Sequence, residues 1–430
     1  MQWKQLAAAV GTLCIIGAAA LWAQHSEAAN YPYVPYDHPA INYPGPATEN
    51  PVAKLQDQLT RGQLKLGFDA KWGYLPSVLK YLGVNTDSQM LVFSKTSFQA
   101  AKISPEMPRA LYFNDNVGVG YVQNGDVMEF AALDTKQGVV FYTMQRAKNK
   151  QPEFNRANQE CLNCHLIPGT AYVPGLLATS VIPRPDGSLR FAASAILVDS
   201  RTPFEQRWGG WYVTGTSGTM QHRGNAFAPN PDRPSIFDFN NTQNITRLDD
   251  RFNIGAYLAP SSDIVALMTL EHQTRIFNLL TRTAWETRIA VHDGKLDAFK
   301  NRLGYLTDEV VAYMLFADEA RMSSPVKGVS SFTRTFPERG PRDHRGRSLR
   351  DFDLETRLFR YPLSYMIYNS AFDALPQPAK GEIYRKLFSV LTSKPDGRYA
   401  RLCAEDREAI LEIVRDTKPD LPDYWRSTEK

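Results

Sequence analysis

The feature that most constrains the fold of this chain is a change in its hydrophobic pattern near residue 256. Before that point, short apolar runs such as 127–132 and 139–144 are separated by turn residues, which is typical of an antiparallel sheet. After it, apolar residues recur at helical spacing, most clearly over 264–288, where Asp263 provides a capping signal. The pattern predicts an α+β protein, in which a β-rich mixed module precedes a mainly helical C-terminal region.

Two thiols and an imidazole stand together in the run Cys161-Leu162-Asn163-Cys164-His165, inside the β-rich module. On a helical turn, residues three apart share a face, so both sulfurs can reach the two vinyl groups of one porphyrin. A redox dithiol, a zinc half-site and a chance arrangement are the alternatives. A thioredoxin-like dithiol would begin a helix in a βαβ unit, and zinc would need further ligands at finger-like spacing. The spacing therefore favours covalent haem attachment through Cys161 and Cys164, with His165 as an iron ligand.

These five residues resemble the attachment site of the c-type cytochromes. Beyond them, the chain is similar to uncharacterised bacterial secreted proteins described only as cytochrome c domain proteins, at residues 208–212 and 262–273. The resemblance implies one covalently attached haem c, but it brings no known activity. Small cytochromes carry the motif near the start of a compact helical domain, whereas here it is inserted in a mixed module. Their fold and their usual methionine ligand are therefore not expected.

The first 29 residues have the composition of an export signal. Lys4 precedes an apolar run over 6–22, and small residues stand at 26 and 28, ahead of a cleavage site. An uncleaved membrane anchor is the alternative, because the run is at the short limit for a membrane span. Both interpretations export the bulk of the chain to the compartment in which bacteria attach haem covalently. The predicted location is the periplasm.

The ligand on the second side of the iron decides whether such a haem carries electrons or binds a small molecule. His222 lies in a glycine-bordered loop, and His272 falls on an apolar stripe of the helix predicted over 264–288. The preferred assignment makes His222 the sixth ligand and places His272 in the pocket lining. The reverse assignment, Met220, and no sixth ligand all remain open. The structural alternatives are a surface histidine at 222 and a hydrogen-bonded core histidine at 272.

Haem propionates are anions that need cationic partners, and Arg207 and Arg223 flank the aromatic strand and the loop. A second set of arginines between residues 334 and 350 is either solvated surface or a docking site for an acidic redox partner, which the sequence does not identify. The net charge of +4 is too small to indicate nucleic-acid binding. The sequence also lacks a nucleotide-binding glycine fingerprint, an HExxH pair and a nucleophile elbow.

Together these patterns predict a periplasmic mono-haem c-type cytochrome that binds haem and transfers electrons. The alternative is a haem enzyme or small-molecule sensor with an open distal site, suited to peroxide or nitrogen oxide chemistry. The predicted organisation is a signal peptide at 1–29, a Pro- and Tyr-rich arm with short helices at 30–84, a β-rich haem-binding module at 85–255 and a helical region at 256–430.

Overall fold

The computed structural model describes residues 31–426, apart from short gaps at 48, 149–151, 190–194, 231–236 and 395. The predicted signal peptide, and with it the alternative membrane anchor, lies outside the described residues. Within the described part of the chain, we find no helix of the length and apolar character that crossing a membrane requires.

A seven-stranded antiparallel sheet forms the β-rich module, with strand order β6-β5-β4-β3-β2-β1-β9. A small two-stranded sheet pairs β7 with β8. The strands are β1 (Met90–Val92), β2 (Arg109–Phe113), β3 (Val117–Tyr121), β4 (Val127–Asp134), β5 (Gly138–Gln145), β6 (Asn155–Arg156), β7 (Thr179–Ser180), β8 (Ile196–Leu197) and β9 (Trp211–Tyr212). Strands β2 to β5 follow one another as a meander, and β9 returns to pair with the free edge of β1.

The helices of the described residues lie mainly after the sheet. They are α1 (Pro51–Thr60), α2 (Leu75–Tyr81), α3 (Asn158–His165), α4 (Ile264–His292), α5 (Leu296–Met314), α6 (Phe332–Glu338), α7 (Ser370–Asp373), α8 (Gln377–Thr392) and α9 (Ala404–Thr417). The predicted fold class, α+β with a helical C-terminal region, is therefore confirmed.

The sheet separates two hydrophobic cores, because alternate side chains point to opposite faces. The face that carries Phe113, Leu133 and Phe141, which we call face A, packs against the C-terminal helices. The opposite face carries Tyr112 and Phe130 and packs against the N-terminal arm and α1. Face A also meets helix α3, so the Cys-Leu-Asn-Cys-His motif lies on the same side of the sheet as the C-terminal helices.

Helix α4 is the central helix of the C-terminal region and is buried on nearly all sides. The predicted cap at its start is confirmed, since Asp263 Oδ1 accepts hydrogen bonds from the backbone N–H groups of Val265 (2.8 Å) and Ala266 (3.4 Å). Its second oxygen accepts from the N–H groups of Val329 and Ser330, both at 2.8 Å. One carboxylate therefore caps α4 and holds the loop that leads to α6.

The sequence also predicts helices over 307–321 and 353–372, and both predictions were wrong in extent. The helix expected over 353–372 is instead a series of turns, ending in a short 3₁₀ turn at Tyr365–Tyr368 and in α7. Pro362 lies within that stretch, where its missing N–H and its ring oppose a continuous helix. The helix expected over 307–321 begins at Leu296 and ends at Met314, just before Phe316, whose φ of 52° is left-handed.

The sequence predicts Cys403 to be a small buried hydrophobe within a helix over 399–413, and the structure differs. The side chain is exposed and its sulfur accepts a hydrogen bond from the Asp406 N–H at 3.4 Å, so it is the N-cap of α9. A cap residue precedes the first helical turn and lies outside the packed face, which explains the exposure.

Candidate functional site

Helix α3 presents the motif on face A of the sheet. Cys161 and Cys164 lie one turn apart on this short helix and are not joined by a disulfide. The ring of His165, at the end of the helix, lies 4.7 Å from the ring of Phe141 on β5. The motif is therefore half-buried between the sheet and the chain that follows it.

The imidazole of His165 is held by a backbone carbonyl. Its Nδ1 lies 2.8 Å from the oxygen of Gly175, and the Gly175 N–H donates to the His165 carbonyl at 2.9 Å. A carbonyl oxygen can only accept a hydrogen bond, so Nδ1 carries the proton and Nε2 carries the lone pair. Burial lowers the pKa of His165 and keeps the ring neutral. This is the arrangement of a metal-binding histidine whose second nitrogen is oriented by the protein.

Helix α4 positions the loop that carries Gly175. The side chain of Asn278 donates to the Leu176 carbonyl at 2.9 Å and accepts from the Leu176 N–H at 3.0 Å. Arg282 donates to the Ala171 carbonyl at 2.9 Å. A Cβ at Gly175 would collide with the Asn278 amide, so only glycine allows this close approach. The orientation of His165 thus depends on a helix that lies more than 100 residues away in sequence.

Beside the motif, face A has a half-exposed strip of small and aliphatic residues, namely Leu111, Gly118 and Ala131. Ala131 pairs with Phe141, whose ring contacts His165, and Gly118 pairs with Ala131. The strip therefore begins one strand, or about 5 Å, from Phe141, and Gly118 lies two strands, or about 10 Å, away. A Cβ at Gly118 would meet nothing within 4 Å. The strip is therefore apolar, close to the motif and open above Gly118.

An ion pair borders this strip. Arg109 donates to Glu129 at 3.0 Å, and both side chains are less than one-fifth exposed, at 18% and 19%. The two side chains meet above Gly120 of the strand between them. A Cβ at Gly120 would lie only 3.3 Å from the Glu129 side chain. Burial and, secondly, the charge of Glu129 raise the pKa of Cys161 to about 12. Because redox-active dithiols have lowered pKa values, this environment argues against a thioredoxin-like role for the cysteines.

His222 is buried in the loop where the sequence places it, next to Trp208 with ring centroids 5.1 Å apart. Gln243 holds its backbone on both sides, accepting from the His222 N–H at 3.0 Å and donating to its carbonyl at 2.9 Å. Burial lowers the pKa of His222 to about 4. Met220 is also buried, and its sulfur accepts from the Ser323 N–H at 3.2 Å. The loop is thus an ordered, packed segment rather than solvated surface.

His272 lies among the aromatic side chains of the C-terminal region. Its ring stacks between Tyr313 and Phe316, at 5.1 Å and 4.4 Å, and its Nε2 lies 2.7 Å from the hydroxyl of Ser364. At about 100° per residue, His272 points roughly 120° away from Asn278, which holds the loop behind His165. These contacts match the core alternative for His272, and they place it on a different face of α4 from the motif.

The burial of His272 predicts a loss of stability in acid. Burial lowers its pKa to about 3, whereas the unfolded chain binds a proton at the ordinary value of 6.5. The free energy of unfolding should therefore fall as the pH drops below 6.5, by roughly 2 kcal/mol at pH 5 from this group. Urea titrations at pH 7 and pH 5 should show a smaller decline for His272→Phe than for the wild type. An equal decline in both proteins would contradict the prediction.

The two arginines predicted to meet propionates have other contacts. Arg207 is buried, pairs with Glu271 at 3.0 Å, and donates to the carbonyls of Thr202 and Ser200 at 2.7 and 3.1 Å. The guanidinium of Arg223 lies 5.3 Å from the ring centroid of Phe237. These positions make Arg207 a structural residue, and propionate binding stays a prediction for both.

The arginines between 334 and 350 do not form a free basic patch. Carboxylates pair with five of them: Arg334 with Glu338, Arg342 with Asp351, Arg345 and Arg347 with Glu412, and Arg350 with Asp115. Paired charges present a weaker field to an acidic partner than the sequence alone indicated.

Sequence analysis missed the residues that support the motif: Arg109, Gly118, Glu129, Gly175 and Asn278. Gly118 and Gly120 had a visible signal, since glycine at alternate positions of a strand marks a close approach by a ligand or another chain. Arg109, Glu129, Gly175 and Asn278 have no local signal. The chain matches no protein-family model, no curated protein and no solved structure in the comparisons made.

Proposed function

We propose that this chain is a mono-haem c-type cytochrome that transfers electrons. The single observation that carries the proposal is the hydrogen bond from His165 Nδ1 to the Gly175 carbonyl at 2.8 Å. It leaves Nε2 available to ligate iron, in a motif whose two thiols lie within the helical turn that precedes the histidine. Cys161 and Cys164 would hold the haem covalently and His165 would ligate its iron.

The surroundings offer an apolar surface against which a haem could lie. Leu111 and Ala131 are partly exposed apolar side chains, and Gly118 leaves the space above the sheet open. Phe141 packs against His165 and limits the rotation of its ring. Arg109, at the border of the strip, is the nearest candidate partner for a propionate, with Glu129 fixing its orientation. When bound, haem supplies a one-electron iron couple that the side chains of this protein lack.

The direct test is an optical spectrum of the full chain exported by a host that makes c-type cytochromes. Haem that stays with the denatured chain supports the proposal, and its absence refutes it. Spectra of the reduced protein with and without carbon monoxide then separate the two functions. A spectrum that carbon monoxide does not change indicates that the protein holds both axial positions of the iron, which favours electron transfer.

Gly118 provides a test of where the haem lies. Because a Cβ at Gly118 meets nothing within 4 Å, leucine can be accommodated by the fold but would occupy the open space. We expect Gly118→Leu to lower the fraction of chain that carries haem several-fold, measured as the haem-to-protein absorbance ratio. Gly118→Ala is the matched control and should retain haem. Equal haem content in both variants would place the haem elsewhere.

A haem enzyme or sensor with an open distal site is the second candidate. It is favoured by the composition of the strip beside the motif, which is aliphatic and glycine at Leu111, Gly118 and Ala131 rather than histidine or methionine. His272 is already engaged by Ser364 and two aromatic rings. A change of the reduced spectrum on adding carbon monoxide would favour this candidate, with peroxide and nitrogen oxides as the first substrates to assay.

A further inference from the structure

Two histidines whose sequence neighbours are polar or proline-rich, as expected of surface residues, meet at one carboxylate. His38 lies in the N-terminal arm, whereas His292 and Asp293 end helix α4. His38 Nε2 is 3.4 Å and His292 Nδ1 is 3.1 Å from the same oxygen, Asp293 Oδ1. The three side chains can place their ligand atoms within 4.8 Å of one another. Because His38 and His292 are more than 250 residues apart in sequence, no rule based on residue spacing predicts this cluster.

The distances suit a tetrahedral ion. Bonds of about 2.0–2.1 Å at tetrahedral angles separate neighbouring ligand atoms by about 3.4 Å. The two measured nitrogen-to-oxygen separations, 3.4 and 3.1 Å, are close to that value. His292 is half-exposed at 49%, so its side chain can adjust, and the exposure leaves room for a water molecule as fourth ligand.

The electrostatics of the helix end also favour a cation. Asp293 is the C-cap of α4, a helix of 29 residues, and a carboxylate there lies against the negative end of the helix dipole. Lys295 offsets part of this charge through the other oxygen, with Nζ 3.3 Å from Oδ2. The remaining oxygen, Oδ1, faces the two imidazoles. A divalent ion between them would place further positive charge beside this carboxylate and the negative end of the helix dipole.

We propose that His38, His292 and Asp293 bind a divalent transition metal ion of the zinc class. Two imidazoles and a carboxylate are suitable ligands for Zn²⁺. Metal at His38 Nε2 requires its proton to move to Nδ1, which breaks the 3.2 Å hydrogen bond that Nδ1 accepts from the Ala40 N–H. The ion would fasten the N-terminal arm to the end of α4, and so stabilise the packing of the arm.

The test is calorimetric titration of the full chain with Zn²⁺. The wild type is expected to bind one more equivalent than His292→Ala, or to bind it at least about tenfold more tightly, since even residues that only orient a metal ligand contribute that much. His38→Gln should lose the same equivalent. The thiols of the chain contribute equally to every variant, so the difference isolates this site.

His344→Ala is the matched control, because His344 pairs with Asp416 at an exposed position without a second histidine. It should bind Zn²⁺ as the wild type does. Circular dichroism checks that His292→Ala, which removes a half-exposed side chain, remains folded. Equal stoichiometry and affinity in the wild type and in both ligand variants would overturn the proposal. So would a loss of the same size in His344→Ala. Neither result depends on the haem.

Discussion

Replacing Cys161 and Cys164 together with alanine is expected to abolish covalent haem attachment completely, because both thioether bonds require these sulfurs. The two thiols lie one turn apart on α3, and burial raises the pKa of Cys161, so this thiol is not poised as a disulfide reagent. The measurement is the mass of the denatured exported chain, together with haem staining after denaturing electrophoresis.

Cys403→Ala is the control for this experiment, since Cys403 is an exposed helix cap far from the motif in sequence and should not affect attachment. Each single variant, Cys161→Ala or Cys164→Ala, retains one sulfur and is expected to hold less haem than the wild type. Haem that remains attached to the denatured chain of the double variant would exclude the motif as the attachment site.

Arg207→Ala is expected to destabilise the fold by about 3–5 kcal/mol, the range for breaking a buried ion pair by removing one partner. The side chains of Arg207 and Glu271 are only 3% and 2% exposed, and the substitution leaves the carboxyl of Glu271 without its cation. It also leaves the carbonyl of Thr202 without its donor, whereas the Ser200 carbonyl keeps the hydrogen bond from the Ala320 N–H at 2.9 Å. Urea denaturation followed by circular dichroism measures the loss.

The penalty should be larger above pH 7. Burial raises the pKa of Glu271 to about 7 despite the opposing charge of Arg207, and removing that charge raises the pKa further. Only above pH 7 does the wild type therefore hold an ionised pair that the variant lacks. The double variant Arg207→Met/Glu271→Leu replaces both charges by apolar groups and should recover most of the stability. Arg334→Ala breaks an exposed pair and should cost no more than about 1 kcal/mol.

The same double variant tests the predicted propionate contact. If Arg207 serves only the fold, the haem spectrum and reduction potential of Arg207→Met/Glu271→Leu should match those of the wild type. A shift of the potential in a stable double variant would show that Arg207 acts on the haem. If Arg207→Ala lost no more stability than Arg334→Ala does, the structural role of Arg207 would be contradicted.

How far the site could be predicted depends on the range of the interactions involved. The motif was visible because Cys161, Cys164 and His165 lie within one helical turn, and Asp263 because a cap acts on the next few residues. The helix expected over 353–372 does not form, because Pro362 interrupts a stretch whose apolar spacing is otherwise helical. Local pattern rules work where a local interaction decides the structure.

The sequence by itself determined the α+β class, the cap of α4 and the presence of a haem-attachment pattern, because each follows from residues close together in the chain. Only the tertiary structure decided that Gly175 holds His165, that Arg207 is bound to Glu271, and that His272 faces an aromatic core. These outcomes depend on how α4 packs against chain segments distant in sequence. Burial and pairing between such segments set the contacts and pKa values of polar groups, and no spacing along the chain encodes them.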